Sequence, residues 1–216
     1  LCMNTRISNI ANKSLNKEEI DRNDAKYLLS INGEEIYDLF YWANKIRFKF
    51  FGNSIVLCAI LSAKQGNCSE DCKFCAQSKF HKTEIPMFPL VEIEKVNDSI
   101  SRAKEMGAAS LGLVTSGYSL NNRPQDTNES DFEKYCSLVK MASGTSSIPL
   151  HASVGCMTEE MAVRLAESGV KQINHNLETS RNLFPNVCTT HSYEDRVRTI
   201  KNAKKAGLIV KVFLIV

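Results

Sequence analysis

Five short apolar runs, each set off by an amphipathic stretch, do most to limit what this chain can fold into. They cover residues 55–61, 109–115, 148–154, 172–176 and 208–216, and their length and β-branched content suit buried strands. Helical patterns lie between them at about 91–106, 129–142, 157–168 and 192–206. Two of these end in glycine, Gly107 and Gly207, which supplies a C-terminal cap before the next strand. Thr158 and Ser192 offer hydroxyl caps at opposite ends, with acids in the first turn. Strand followed by helix, repeated without hairpin signals, predicts parallel strands joined by crossover helices. A (β/α) barrel and a doubly wound sheet both satisfy that pattern, and periodicity does not order the strands. Both architectures put working groups on the loops at the carboxyl ends of the strands.

Ahead of the first strand, residues 1 to about 16 are mixed and polar without a clear period and read as a frayed leader. Helical patterns follow at 18–29 and from 33 to about 48, where Ile36, Leu39, Phe40 and Ala43 fall at i, i+3, i+4 and i+7. The division expected is a leader with packing helices over 1–50 and one α/β domain over 51–216. A length of 216 residues, 43% hydrophobic, suits one sizeable core. Lys and Arg number 27 against 24 Asp and Glu, and this even spread points to neither nucleic acid nor membrane as partner. No stretch approaches twenty consecutive apolar residues, and the first thirty are too polar for a secretory signal, so a cytoplasmic protein is expected. The chain starts on Leu1 and stops inside an apolar run, so both ends read as cut.

The loop after the first apolar run carries Cys68-Ser-Glu-Asp-Cys72-Lys-Phe-Cys75, three of the eight cysteines at C-x3-C-x2-C spacing. Such clustering favours metal over cross-linking. Three thiolates on one short loop can hold three corners of an iron–sulfur cube and leave the fourth iron open for chemistry. Zinc is the plainer alternative, but structural zinc takes four closed ligands, and the nearest extra donor, His81, lies outside common finger spacing.

This motif, with an aromatic residue before the last cysteine, resembles the hallmark of the radical S-adenosylmethionine superfamily. The wider stretch Gly66-Asn-Cys-Ser-Glu-Asp-Cys-Lys-Phe-Cys-Ala-Gln-Ser78, with His81-Lys-Thr83, Ile173-Asn-His-Asn-Leu-Glu-Thr-Ser180 and Thr189-Thr-His-Ser-Tyr-Glu-Asp-Arg196, resembles the biotin synthase family over about residues 33–210. The resemblance implies a (β/α) barrel of radical SAM type, here an incomplete barrel of about five strand–helix units preceded by N-terminal helices. It implies a [4Fe–4S] cluster on Cys68, Cys72 and Cys75 whose open iron chelates S-adenosylmethionine, and a 5′-deoxyadenosyl radical that attacks dethiobiotin so that sulfur from a second cluster closes the ring of biotin. A closed site protects such a radical. Carried over position by position, Phe74 would lie against the adenine, and Asn176 and Glu178 would bond the ribose hydroxyls. Arg196 would pair with the methionyl carboxylate, and the backbone of Thr115-Ser-Gly117 would hold the amino group. Glu178 stands where the best-known bacterial members of the family carry Asp. An electron donor of flavodoxin or ferredoxin type and a homodimer are implied by family alone.

Other readings of the same residues stay open. Asn174 and Asn176 could cap a following helix, Glu178 could be a first-turn acid, and Arg196 a solvated ion-pair residue. Alternation puts His175 on the face opposite the asparagines, as a packed histidine. The family's sulfur-donating cluster uses three more cysteines and an arginine. Here Gly112, His151 and, approximately, Lys211 stand at the cysteine positions, and the arginine position lies beyond Val216. A glycine-rich segment after the fifth strand is also missing, as a reading-frame slip or fragment boundary near residue 210 would explain. Cys58 and Cys188 with His151 could instead serve a variant auxiliary cluster, although Cys58 also reads as a small buried hydrophobe. Cys136 and Cys156 read as packing residues. Two further functions compete: a radical SAM enzyme without sulfur insertion, of hydrogenase-maturation or pyrrolysine-pathway type, and a truncated, non-catalytic fragment.

Overall fold

A computed structural model of the protein describes residues 4–120 and 130–214. Its first compact unit runs through Ile55 and its second from Val56 onward. In the first unit, the segment expected to fray is instead helix α1 (Thr5–Leu15). Asn4 caps it by accepting from the backbone N–H groups of Arg6 and Ile7, and Ile7, Ile10 and Ala11 are buried. Three apolar positions at i, i+3 and i+4 are enough once α3 offers a surface, and they are too few to reveal a period in sequence. Helix α2 is Arg22–Ser30 and α3 is Glu35–Phe51. The backbone N–H of Asn4 donates to Asp38, and Lys49 donates to the carbonyl of Leu15, so α1 and α3 are tied at both ends. Of the expected stripe on α3, Phe40 and Ala43 face solvent, and Ile36 and Leu39 are half-buried.

In the second unit, strands β1 (Cys58–Lys64), β2 (Ser110–Thr115), β3 (Leu150–Ser153), β4 (Gln172–Asn174) and β5 (Ile209–Lys211) form one parallel sheet in the order β1-β2-β3-β4-β5. Helices α4 (Ile93–Glu105), α5 (Asp131–Thr145), α6 (Glu159–Glu167) and α8 (Tyr193–Lys205) are the crossovers, with a short α7 (Phe184–Val187) before the last. Sequential order without a reversal is barrel winding, since a doubly wound sheet changes direction at a switch point. The sheet is not closed among the described residues: β1 and β5 are its edges.

Strand β1 starts three residues later than the apolar run, because its register is set by its partner: Cys58 pairs with Ser110, and β2 begins only after Gly107 ends the turn of α4. Residues 55–57 stay exposed in consequence. Likewise the fifth run, expected over 208–216, forms a strand over only three residues with an isolated bridge from Leu214 to Glu178, and its positions 215–216 lie outside the described residues, as does position 129 at the expected start of α5. Helix α5 begins at a capping box in which Ser130 and Glu133 satisfy one another's backbone N–H groups.

The pleat divides the sheet into two faces. Leu61, Ala63, Leu111, Leu113, Leu150, Ala152 and Ile173 face the helices and pack against Val96, Tyr135, Val139, Ala162 and Leu165. Each fully buried Leu or Val contributes about 1.5–3 kcal/mol. The other face carries the register row Ile60, Gly112, His151, Gln172 and Ile209. On it Ile60 is 73% and Ile209 62% exposed, so among the described residues the main core of this unit lies between sheet and helices, with a small second cluster of Cys72, Phe184 and Cys188 at the loops.

Candidate active site

The long loop after β1 is closed on itself by backbone pairing. The N–H of Gln65 donates to the carbonyl of Phe88, and Cys68 pairs in both directions, its N–H to Gln77 and its carbonyl from Lys79. Gly66 and Asn67 both adopt left-handed backbone there, turning the chain so that Cys68 enters at the carboxyl end of the sheet. A turn from the N–H of Cys75 to the carbonyl of Cys72 brings the three thiols onto successive bends. Cys68 and Cys72 are buried and Cys75 is half-buried. Burial raises the thiol pKa of Cys68, and burial together with Cys188 pushes that of Cys72 up to about 12. His81 hydrogen-bonds the carbonyl of Cys72 at 3.0 Å, so it braces the loop's backbone and does not extend the thiol set.

A second loop, residues 187–191, clamps the first. The N–H of Lys73 donates to Val187, and Asp71 accepts from the N–H groups of Thr189 at 2.8 Å and Thr190 at 3.2 Å and from the Thr189 hydroxyl. These bonds hold the Asp71 carboxyl far below the usual carboxylate range. Glu70, 8% exposed, accepts from Thr190 at 2.7 Å and sits 2.5 Å from Nδ1 of His191. The other ring nitrogen of His191 accepts from Nε of Arg196 at 3.0 Å.

Arg196 lies in the first turn of α8, whose start is set by a Ser192–Asp195 capping box, and this aims its guanidinium inward. There it donates to the carbonyl of Asn176 at 2.8 Å and to Glu178 at 3.1 Å, and it lies over the ring of Phe184. The Arg196 and Glu178 side chains are 11% and 9% exposed, so the alternative of a solvated ion-pair residue gives way to a buried pair. Burial raises the Glu178 carboxyl pKa while Arg196 opposes it. Glu178 also has φ +66°, a left-handed conformation that costs about 1–3 kcal/mol in a residue with a side chain. No helix starts near it, and neither asparagine is a cap: Asn174 accepts from the side chain of Gln172, and Asn176 accepts from the N–H of Phe213.

Cys68, Cys72 and Cys75 line one cavity of about 230 Å³ together with Asn176, Glu178 and Arg196. Phe74, half exposed, stands on its rim, and Thr115 to Gly117 close one side. Ser116 ties that side to the cysteine loop by donating to the carbonyl of Gly66 at 2.8 Å. A larger cavity of about 710 Å³ adjoins it through Glu70, Tyr118 and Cys156 but contains none of the three loop thiols. His175 is buried as expected, yet it lines the same cavity as Asn174 and Asn176, because β4 ends at Asn174 and alternation lapses there. Its Nε2 has no hydrogen-bond partner. Every described cysteine is a free thiol. Three free thiols facing one cavity that also holds an unpaired imidazole nitrogen and a guanidinium fit a cluster with one open corner and an anionic ligand beside it.

Two predictions arise from this geometry. Gly155 has φ +74°, and a Cβ on it would stand 2.3 Å from the carbonyl oxygen of Tyr118 and 2.8 Å from that of Gly117. Gly155→Ala is expected to destabilise the fold by about 3 kcal/mol through backbone strain and overlap. It is also expected to displace the Gly117 wall, and urea unfolding measures the first effect. His175 is held at a pKa of about 3, from an ordinary 6.5, by burial first and then by Arg196 and His191. The unfolded chain therefore takes up this proton first, so stability is full above about pH 6.5 and falls with acidification toward about pH 3. The loss amounts to about 2 kcal/mol between pH 7 and pH 5. Unfolding midpoints at those two pH values should converge in His175→Asn; an unaltered pH slope would assign the effect elsewhere.

The expected auxiliary set is corrected by position. Cys58 opens β1 at the amino end of the sheet and is exposed, so it is neither a buried hydrophobe nor near the loops. His151 is on the inner face of β3, where it bonds Gln172 at 3.2 Å. Cys188 lies in the clamp beside Cys72 and His191. The three do not meet. Sequence reasoning assigned no role to Glu70, Asp71, Thr190 or His191, although all four lie inside the segments that carry the family resemblance.

A barrel-wound parallel sheet with a three-thiol loop on its first strand and a buried Arg–Glu pair facing it is the architecture of an iron–sulfur protein with an open metal corner. The chain belongs to the Radical SAM superfamily, whose sequence model matches residues 63–216. Membership implies a [4Fe–4S] cluster and S-adenosylmethionine. The chain is 38% identical over 208 residues to biotin synthase of Citrifermentans bemidjiense, covering 96% of this chain and 61% of that one. To biotin synthase of Pelotomaculum thermopropionicum it is 43% identical over 195 residues, covering 89% and 58%. It thus spans about three-fifths of the length of these curated relatives. Among solved structures, methylornithine synthase (PylB) superposes with a TM-score of 0.76 at 22% identity over 94% of this chain and 58% of that one. HydG, a maturase of the [FeFe]-hydrogenase, gives 0.79 at 21% identity over 97% and 46%. These two establish the shared barrel fold. Among the described residues, no helix is long and apolar enough to cross a membrane.

Proposed function

We propose that this protein cleaves S-adenosylmethionine and uses the radical to insert sulfur into dethiobiotin, forming biotin, with residues 51–216 as the catalytic domain and 1–50 as a separate helical segment that precedes it in sequence. The observation that carries the reading is the cavity shared by the three loop thiols and the Arg196–Glu178 pair. The biotin synthase relatives point to the same reaction. When bound, the cluster supplies the electron that breaks the C–S bond of the sulfonium and releases methionine and a 5′-deoxyadenosyl radical.

The chain's own residues bind, orient and shield. Cys68, Cys72 and Cys75 hold three irons. The planar guanidinium of Arg196 suits bidentate pairing with the methionyl carboxylate. Its bonds to His191 and to the Asn176 carbonyl keep it oriented before the ligand arrives. Glu178 and Asn176 accept from and donate to the ribose hydroxyls, and Phe74 covers the adenine. Carbonyls of Thr115 to Gly117 take the amino group. A reducing cytoplasm suits seven described free thiols. A flavodoxin- or ferredoxin-type donor and a homodimer complete the proposal.

A second reading, radical cleavage without sulfur insertion, is favoured by one observation: Gly112, His151 and Lys211 occupy the inner face where the resemblance leads one to look for sulfur-donor cysteines. Anaerobic reconstitution with iron and sulfide, followed by S-adenosylmethionine, dithionite and dethiobiotin, decides between them. Biotin formation is the expected result. 5′-Deoxyadenosine without biotin or a thiolated intermediate selects the second reading, and absence of both products overturns both.

A further inference from the structure

Cys188 has no role above and His191 only orients Arg196 through Nε2, yet their remaining donor atoms stand with Cys72 and Glu70 as four donors on two clamped loops. The ligand atoms of Cys72, Cys188 and His191 all lie within 4.8 Å of one another. Cys188 Sγ is 3.2 Å from Nδ1 of His191, and that nitrogen is 2.5 Å from the Glu70 carboxylate. A tetrahedral zinc with bonds of about 2.0–2.3 Å needs donors about 3.3–3.8 Å apart. For Cys72, Cys188 and His191 the present spacings reach that with side-chain adjustments of about an ångström, and Glu70, already against Nδ1 of His191, is the carboxylate at hand for the fourth position. The backbone needs no change, because the Lys73–Val187 bond and the Asp71 bonds to Thr189 and Thr190 already hold the loops together.

We propose that Cys72, Cys188, His191 and Glu70 form a divalent-cation site, selective for zinc-like ions, that shares Cys72 with the iron–sulfur cluster. Two thiolates, one imidazole and one carboxylate are a borderline-soft set that suits zinc over magnesium or calcium. Metal on Nδ1 puts the ring proton on Nε2, so Arg196 gives up its bond to that nitrogen and keeps those to Asn176 and Glu178. One thiolate does not serve both centres, so zinc in this site blocks cluster assembly. That last consequence rests on the cluster assignment of Cys72 proposed above; the binding site itself does not.

The test uses cobalt(II) as the spectroscopic probe for zinc. The cluster-free chain of residues 1–216 carrying Cys68→Ala and Cys75→Ala is expected to bind one cobalt with thiolate-to-metal charge-transfer absorbance. Adding Cys188→Ala should lower that affinity at least about a hundredfold. No binding in the double variant, or no loss on adding Cys188→Ala, overturns the site. Should the variants fail to fold, X-ray absorption on the wild-type apoprotein with one equivalent of zinc reads the ligands directly. Two sulfurs and two nitrogen or oxygen atoms support the site, and three sulfurs assign zinc to the loop trio instead. Zinc added before iron and sulfide should suppress the brown cluster absorbance in wild type; undiminished assembly overturns the shared thiol. A failed cluster reading shows separately, as wild type that takes up no iron even without zinc.

Discussion

Replacing any one of Cys68, Cys72 or Cys75 by alanine is expected to remove the cluster altogether and drop reductive cleavage of S-adenosylmethionine to background. The three thiols are the donors that the cysteine loop contributes to the cavity, and a cube retaining two anchored corners has two irons open to solvent and to oxidation. Iron should fall from about four per chain to near zero after anaerobic reconstitution and desalting. The fold should survive, since the strands and the helices behind them pack in a separate cluster of buried residues. Far-ultraviolet circular dichroism should therefore match wild type. Cys58→Ala is the control, because Cys58 is exposed at the far end of β1 and should keep both iron and turnover. Retention of the visible absorbance in any of the three loop variants would refute the assignment.

Arg196→Ala should cost both stability and ligand. The Glu178 carboxylate it leaves behind is 9% exposed, and breaking a buried pair by deleting one partner costs about 3–5 kcal/mol. For a chain of this size that is a fall of about 10 °C in Tm. Lysine should not restore function, because the guanidinium makes directed bonds to three partners at once, His191, Asn176 and Glu178, and a point charge on a flexible stem does not. The double variant Arg196→Ala/Glu178→Gln separates the two losses. Removing the stranded charge should return much of the stability, while S-adenosylmethionine binding stays weakened about a hundredfold or more, as expected for loss of a charge-assisted pair. If the double variant recovers binding as well, Arg196 is a structural residue and does not hold the methionyl carboxylate.

Local patterns in the chain were enough for a good deal of this. Apolar runs alternating with helical stretches determined parallel strands, the caps Thr158 and Ser192 located the starts of α6 and α8, and C-x3-C-x2-C located the loop whose three thiols line one cavity. Each of these depends on neighbours a few residues apart, so its physics is written in spacing. Tertiary structure alone decided the sequential strand order that distinguishes a barrel from a doubly wound sheet, the late start of β1 against Ser110, and the helix at 5–15. It also decided that Glu70 meets His191 across 121 residues, that Cys188 lies against Cys72, and that Arg196 is buried on Glu178. Register and loop closure bring such groups together, and those depend on which surfaces bury one another. A residue's own neighbours in the chain carry no record of that choice.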